Sequence, residues 1–175
     1  MSTRTTASHS VRLLTISAMF AALITVSTAY LFHIPISGGG YIHLGDAFLY
    51  LAASLLPTPY ACLAGAIGAG TADLLSGAAM WMPATVIIKS LAAACFTCGQ
   101  PRLICRRNLL ALLAGGVLCM GGYYLAEVIL TGNWAGPLVS VGANGIQALG
   151  SAVLYLIMAA ALDRSHLKAR LFSAR

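Results

Sequence analysis

Charge is scarce in this chain of 175 residues: four acidic side chains face ten lysines and arginines, and 8% of all residues are charged. Soluble domains carry about a quarter charged residues, so that class is excluded. The mean hydropathy of +0.88 and a 59% hydrophobic content indicate an integral membrane protein. The chain also lacks a nucleotide-binding loop, a low-complexity linker and a soluble domain, so by itself it hydrolyses no ATP. It has no HExxH pattern, and no serine or cysteine has an evident base partner, which disfavours a membrane enzyme. The N-terminal MSTRTTASHSVR leads into an apolar segment without a small-residue cleavage site before a soluble domain, which predicts a retained first helix.

Cysteines are few and odd in number: Cys62, Cys95, Cys98, Cys105 and Cys119. That count argues against a disulfide framework. Cys95 and Cys98 form a CxxC without a second pair or a histidine at zinc spacing, so small helix-packing residues are favoured over a metal or redox site. The net charge of +6 does not imply nucleic acid, because the basic residues collect at the chain ends and in one loop.

What is abundant is apolar sequence in runs. A bilayer core of about 30 Å takes roughly 20 residues per helix, and breaks at Gly, Pro or charge divide the chain into spans 12–32, 46–57, 60–77, 83–100, 108–131 and 138–162. The second and third are short and separated by Pro57-Thr58-Pro59, which predicts a tight hairpin of short or tilted helices. The expected fold is an all-α integral membrane protein, one transmembrane domain over 1–175 with six helices.

The basic residues orient these spans. Arg4 and Arg12 precede the first; Arg102, Arg106 and Arg107 join the fourth and fifth; Arg164, Lys168, Arg170 and Arg175 follow the sixth. With both termini cytoplasmic, all of these fall inside. The three outer connections, about 33–45, 78–82 and 132–137, hold no lysine or arginine.

Four ionisable groups remain within the spans: Asp46, Asp73, Lys89 and Glu127. Such groups are expensive in a membrane and by default mark function. At about 1.5 Å rise per residue, all four lie in the outer half. On the last helix Ser140, Asn144, Gln147 and Ser151 follow spacings that place them on one face. On the fifth, Tyr123 or Tyr124 joins Glu127 and Thr131. Trp81, Asn133 and Trp134 occupy outer connections, where the tryptophans also suit interfacial anchoring. These groups predict a polar, aromatic, outward-facing cavity for a compact heterocyclic or polar ligand. Asp73 and Lys89 are alternatively placed to neutralise one another. His33 and His43 lack a third partner and make a weak metal site.

The first outer connection contains GGGYIHLGDAF. Gly38, Gly39 and Gly40 supply backbone freedom at the cavity mouth, and Tyr41 and His43 suit a flat heterocycle. Asp46 opens a helix, where a carboxylate also complements the dipole. Small residues at four-residue spacing, Ala18 and Ala22 in the first helix and Ala61, Gly65 and Ala69 in the third, permit close helix approach. Internal packing is the expectation for the third helix, and a partner surface for the first.

Six short helices, an outward polar cavity, and the runs GGGYIHLGDAFLYLAASLLPTPYA and ADLLSGAAMWMPATVIIK together resemble the substrate-binding S components of energy-coupling factor (ECF) transporters, in the riboflavin-type and related branch. The resemblance implies a subunit in a prokaryotic plasma membrane that captures a vitamin or vitamin precursor. A separate transmembrane T component and two cytosolic ATPases would drive transport by toppling it, so ATP is used only by partners and no intrinsic cofactor is expected. It further implies a gating and ligand-contact role for the loop with Tyr41, His43 and Asp46, ligand contacts matching Lys89, Glu127, Asn144 and Gln147, and a T-component surface at Ala18 and Ala22. The N-terminus does not resemble the nickel- or cobalt-binding type, which disfavours a metal substrate. The competing reading is a stand-alone secondary transporter driven by protons through Asp46, Asp73 or Glu127, against which stands the lack of a recognisable inverted repeat.

Overall fold

The computed structural model describes residues 3–31, 33–35, 41–166 and 168–169. Their order is α1 (Thr3–Ala29), β1 (Ile34–Pro35), β2 (Tyr41–Ile42), α2 (Asp46–Leu55), α3 (Thr58–Leu75), a single 3₁₀ turn (Ala79–Trp81), α4 (Met82–Ala94), α5 (Arg106–Thr131) and α6 (Leu138–Arg164). Gly38, Gly39 and Gly40 lie outside the described residues.

Helix lengths follow local chemistry. Pro57 and Pro59 bracket the α2–α3 junction, and Pro59 sits in the first turn of α3, where a missing amide hydrogen costs nothing. Gly77, at φ 74°, turns the chain after α3. Gly132 ends α5 in the left-handed region at φ 66°, its N–H donating to Val128 O. Against the expected 83–100, α4 stops at Ala94. The segment after it is held open by Asn108, whose Nδ2 donates to Thr97 O at 3.1 Å and whose Oδ1 accepts from Thr97 N at 2.9 Å. Pro101 also cannot donate within a helix. At the other end of the chain α1 begins well before residue 12, and α5 and α6 each gain one turn or less over their expected limits.

Central to the bundle is α2. Nine of its ten residues are buried, from Asp46 to Leu55, as expected of a helix that is apolar on all sides. Around it, α3 packs along α1 and α4, α5 lies between α4 and α6, and α6 returns to α2. The α1–α3 crossing is close: a Cβ on Gly68 would lie 2.7 Å from Ala21 O, and Thr25 Oγ1 donates to Gly68 O at 2.9 Å. Ala61, Gly65 and Ala69 are all buried, so the α3 stripe serves internal packing. Beside α2 an aromatic cluster fills the core, with its Tyr50 stacked on Phe96 at 5.0 Å and Tyr155 edge-on to both.

The outside of the bundle is apolar. Ile129, Val139, Leu149 and Leu113 are each at least 70% exposed, a surface suited to lipid and not to water. Ser10–Ala29, Arg106–Thr131 and Leu138–Arg164 are long and apolar enough to cross a membrane. The shorter α2, at ten residues, rises only about 15 Å.

Candidate ligand-binding site

One end of the bundle gathers the C-terminal ends of α1, α3 and α5 with the N-terminal ends of α4 and α6. Between them lies a cavity of about 50 Å³. Its wall includes Tyr41, His43, Asp73, Trp81, Lys89, Glu127, Asn144 and Gln147, residues scattered over more than a hundred positions of the chain.

One member of the wall, Lys89, belongs to a buried ion pair. Lys89 Nζ lies 2.7 Å from Asp46 Oδ1 and donates to Oδ2 at 2.8 Å, with neither side chain more than 3% exposed. The alternative Lys89–Asp73 pairing does not form: the first turn of the central helix points its carboxylate at α4, and Lys89 takes that partner. Asp46 does not itself line the cavity and meets its wall through Lys89 and Gln147. Gln147 Nε2 donates to Asp46 Oδ2 at 3.1 Å, and Gln147 Oε1 accepts from His43 N at 3.2 Å. This links α2, α4, α6 and the first connection in one network. Tyr123 adds its ring face, 5.2 Å from Lys89 Nζ.

The connection between α1 and α2 folds over this network. Ile34 pairs with Ile42 and Pro35 with Tyr41 in a short antiparallel ladder. Tyr41 stacks on His33 at 4.1 Å, and its hydroxyl donates to Asp73 Oδ1 at 2.6 Å. Burial and the neighbouring carboxylate push the Tyr41 phenol far above its usual range. His43 Nδ1 accepts from Gly45 N at 3.0 Å, with Thr28 Oγ1 at 3.4 Å. Accepting at Nδ1 puts the ring proton on Nε2. Burial lowers the His43 pKa to about 4, opposed by the Asp46 carboxylate, so the ring is neutral at pH 7.

Two buried polar atoms of the wall have no hydrogen-bond partner among the described groups: Asp73 Oδ2, an acceptor, and Trp81 Nε1, a donor. Thr85 stands near Asp73 without completing a bond of good geometry, and donates to or accepts from Tyr123 at 3.1 Å. Glu127 and Asn144 have no side-chain hydrogen bond or ion pair among the described residues. Buried polar groups left unpaired are costly, and here several converge on one small space. Trp81 meets Tyr123 edge-on at 6.3 Å, so the same space is flanked by aromatic rings.

Asn133 is not part of this assembly. It is exposed, and its Oδ1 accepts from the backbone of Ala135 and Gly136 in the turn before α6. Of the two candidate tyrosines, Tyr123 lines the cavity, while Tyr124 donates to Trp134 O at 3.0 Å away from it. Thr28 and Thr85 also line the cavity without having been singled out in the sequence. For Thr85 a signal existed, since it lies four residues before Lys89 and hence on its face. Thr28 had none, being one hydroxyl among several on α1.

Ala18 and Ala22 are exposed on α1, where they line a groove of about 440 Å³ with Leu63, Ile67 and Thr71 of α3.

A family model described as ECF-type riboflavin transporter, S component, matches residues 8–164. No curated protein matches the chain.

Proposed function

The chain belongs to the ECF-type riboflavin transporter S component family, a family of substrate-binding transport subunits, and from that premise we propose that it captures a flat, vitamin-like heterocycle for an ATP-driven importer. The observation that carries this reading is the pair Asp73 Oδ2 and Trp81 Nε1, an unpaired acceptor and an unpaired donor on one aromatic-walled cavity. A ligand edge bearing both a donor and an acceptor satisfies the two together. Lys89, Glu127, Asn144 and Gln147 provide further polar contacts, and Tyr41, Trp81 and Tyr123 provide aromatic faces. Riboflavin, whose ring system has such an edge, is the first compound to try.

The cavity opens to the outer face of a prokaryotic plasma membrane, and six helices cross with both termini in the cytoplasm. Support comes from placement: Arg102, Arg106, Arg107, Arg164 and Lys168 all lie at the end of α5 and α6 remote from the cavity. About 50 Å³ holds about three or four waters, so a heterocycle enters only if the wall moves. The Tyr41–His43 connection is the segment best placed to do so, since its side chains and amide reach the helices through the Tyr41–Asp73 bond, the His43 amide to Gln147 and a long His43–Thr28 contact. Transport requires a T component, docked on Ala18 and Ala22, and two cytosolic ATPases that use the ATP.

Purified chain titrated with riboflavin, followed by flavin fluorescence and native mass spectrometry, is expected to bind without any partner. Liposomes with the chain alone should accumulate none of it, while liposomes with the T component and ATPases should. Accumulation by the lone chain, with or without a pH gradient, overturns the assignment.

A further inference from the structure

At the end of the bundle remote from the heterocycle cavity lies a second cavity, about 770 Å³, between the α4–α5 connection and the end of α6. Its lining is basic: Arg102, Arg164 and Lys168 stand against one carboxylate, Asp163, with His166 beside them. That carboxylate is already engaged, accepting from Leu103 N at 2.8 Å and Ile104 N at 3.0 Å. Lys168 Nζ is engaged as well, donating to Gln100 O at 2.7 Å and Ser54 O at 3.0 Å. Arg102 and Arg164 differ. Both are exposed, and neither has a hydrogen bond or ion pair among the described residues.

The wall that carries them is firmly built. Tyr155 Oη donates to Leu103 O at 3.0 Å and Asn108 Nδ2 donates to the same carbonyl at 3.0 Å, so Arg102 projects from a braced segment. Beside the cavity the bundle surface turns apolar, with Leu109, Leu110 and Leu113 of α5 and Ile157 of α6 between 43% and 70% exposed. A soluble anion would use the guanidinium groups only. A molecule with a phosphate at one end and acyl chains at the other matches both surfaces.

We infer that this cavity binds the headgroup of an anionic phospholipid of the cytoplasmic leaflet, its phosphate between Arg102 and Arg164 and its acyl chains along α5 and α6. Guanidinium suits the task because its planar donors bind phosphate oxygens in pairs. The inference rests on the chain spanning the membrane with this end cytoplasmic, and is independent of which heterocycle the other end takes. A bound lipid would also brace the α4–α5 connection in the leaflet.

The test is native mass spectrometry of the full chain with phosphatidylglycerol and phosphatidylcholine of identical acyl chains. The wild type is expected to retain phosphatidylglycerol preferentially. Arg102→Gln and Arg164→Gln are each expected to reduce that preference about fivefold, while Arg12→Gln leaves it unchanged. No preference in the wild type overturns the proposal, and so does an equal loss in Arg12→Gln, which would signal diffuse charge. Inorganic phosphate is the third arm: if it binds with the same arginine dependence while phosphatidylglycerol does not, the occupant is a soluble anion and the lipid assignment falls. The thermal midpoint of each variant reports folding, and riboflavin binding is read on the same samples, so failure at either end is seen separately.

Discussion

Lys89 and Asp46 show at the residue scale why a polar group is kept inside an apolar chain. Each alone would be an uncompensated buried charge, and together they tie α4 to the central helix. Lys89→Met is expected to cost about 3–5 kcal/mol by stranding Asp46, read as a drop in thermal midpoint of the detergent-solubilised protein. Adding Asp46→Asn should recover most of that loss, and failure to recover would mean that the pair is not the main contribution of either side chain. His43 makes a pH prediction. Its pKa is about 4 in the folded protein against 6.5 for the free side chain, so between these values the unfolded chain binds more protons. Its contribution to stability is complete above about pH 6.5 and falls away toward pH 4, by up to about 3 kcal/mol. His43→Asn, which keeps an acceptor for Gly45 N–H, should flatten the stability profile in that window.

Two elements differ in how their surfaces are used structurally. On α1, one face is buried against α3 and the other presents Ala18 and Ala22 on an exposed groove. Replacing both by leucine is expected to abolish co-purification with the T component while leaving riboflavin binding within about twofold, since larger side chains prevent close helix approach without reaching the cavity. Preserved assembly would show that α1 is not the contact. The α4–α5 connection makes the opposite case, an irregular segment made specific by side chains. Asn108 alone satisfies both the N–H and the C=O of Thr97, and donates to Leu103 O and Ser54 Oγ. Asn108→Ala should lower stability by about 2–4 kcal/mol, because the N–H and C=O of Thr97 both lose their partner and the bonds to Leu103 O and Ser54 Oγ go with them. Ligand affinity at the remote cavity should not change.

The whole molecule separates its chemistry by ends, with the cavity at one and exposed Arg102 and Arg164 at the other. A topological test follows. In a chain with its native cysteines replaced, Ala135→Cys should react with an impermeant maleimide from outside intact cells, and Gln100→Cys only after permeabilisation. Labelling of both from one side would overturn the N-in/C-in arrangement.

Apolar run length and the positions of Gly and Pro were enough to determine the membrane class, six helices and their approximate limits, because each depends on neighbours within a turn or two. The polar stripe from Ser140 to Gln147 was legible for the same reason, helical periodicity being local. The end of α4 was not, because the residue that holds the following segment open, Asn108, lies beyond it in the chain. Tertiary structure alone decided that Lys89 pairs with Asp46 and not with Asp73, that Tyr123 turns inward and Tyr124 outward, and that Asn133 stays in its own turn. Those outcomes depend on how each helix is rotated against its neighbours. Nothing within one helix records that rotation, and only close packing around α2 sets it.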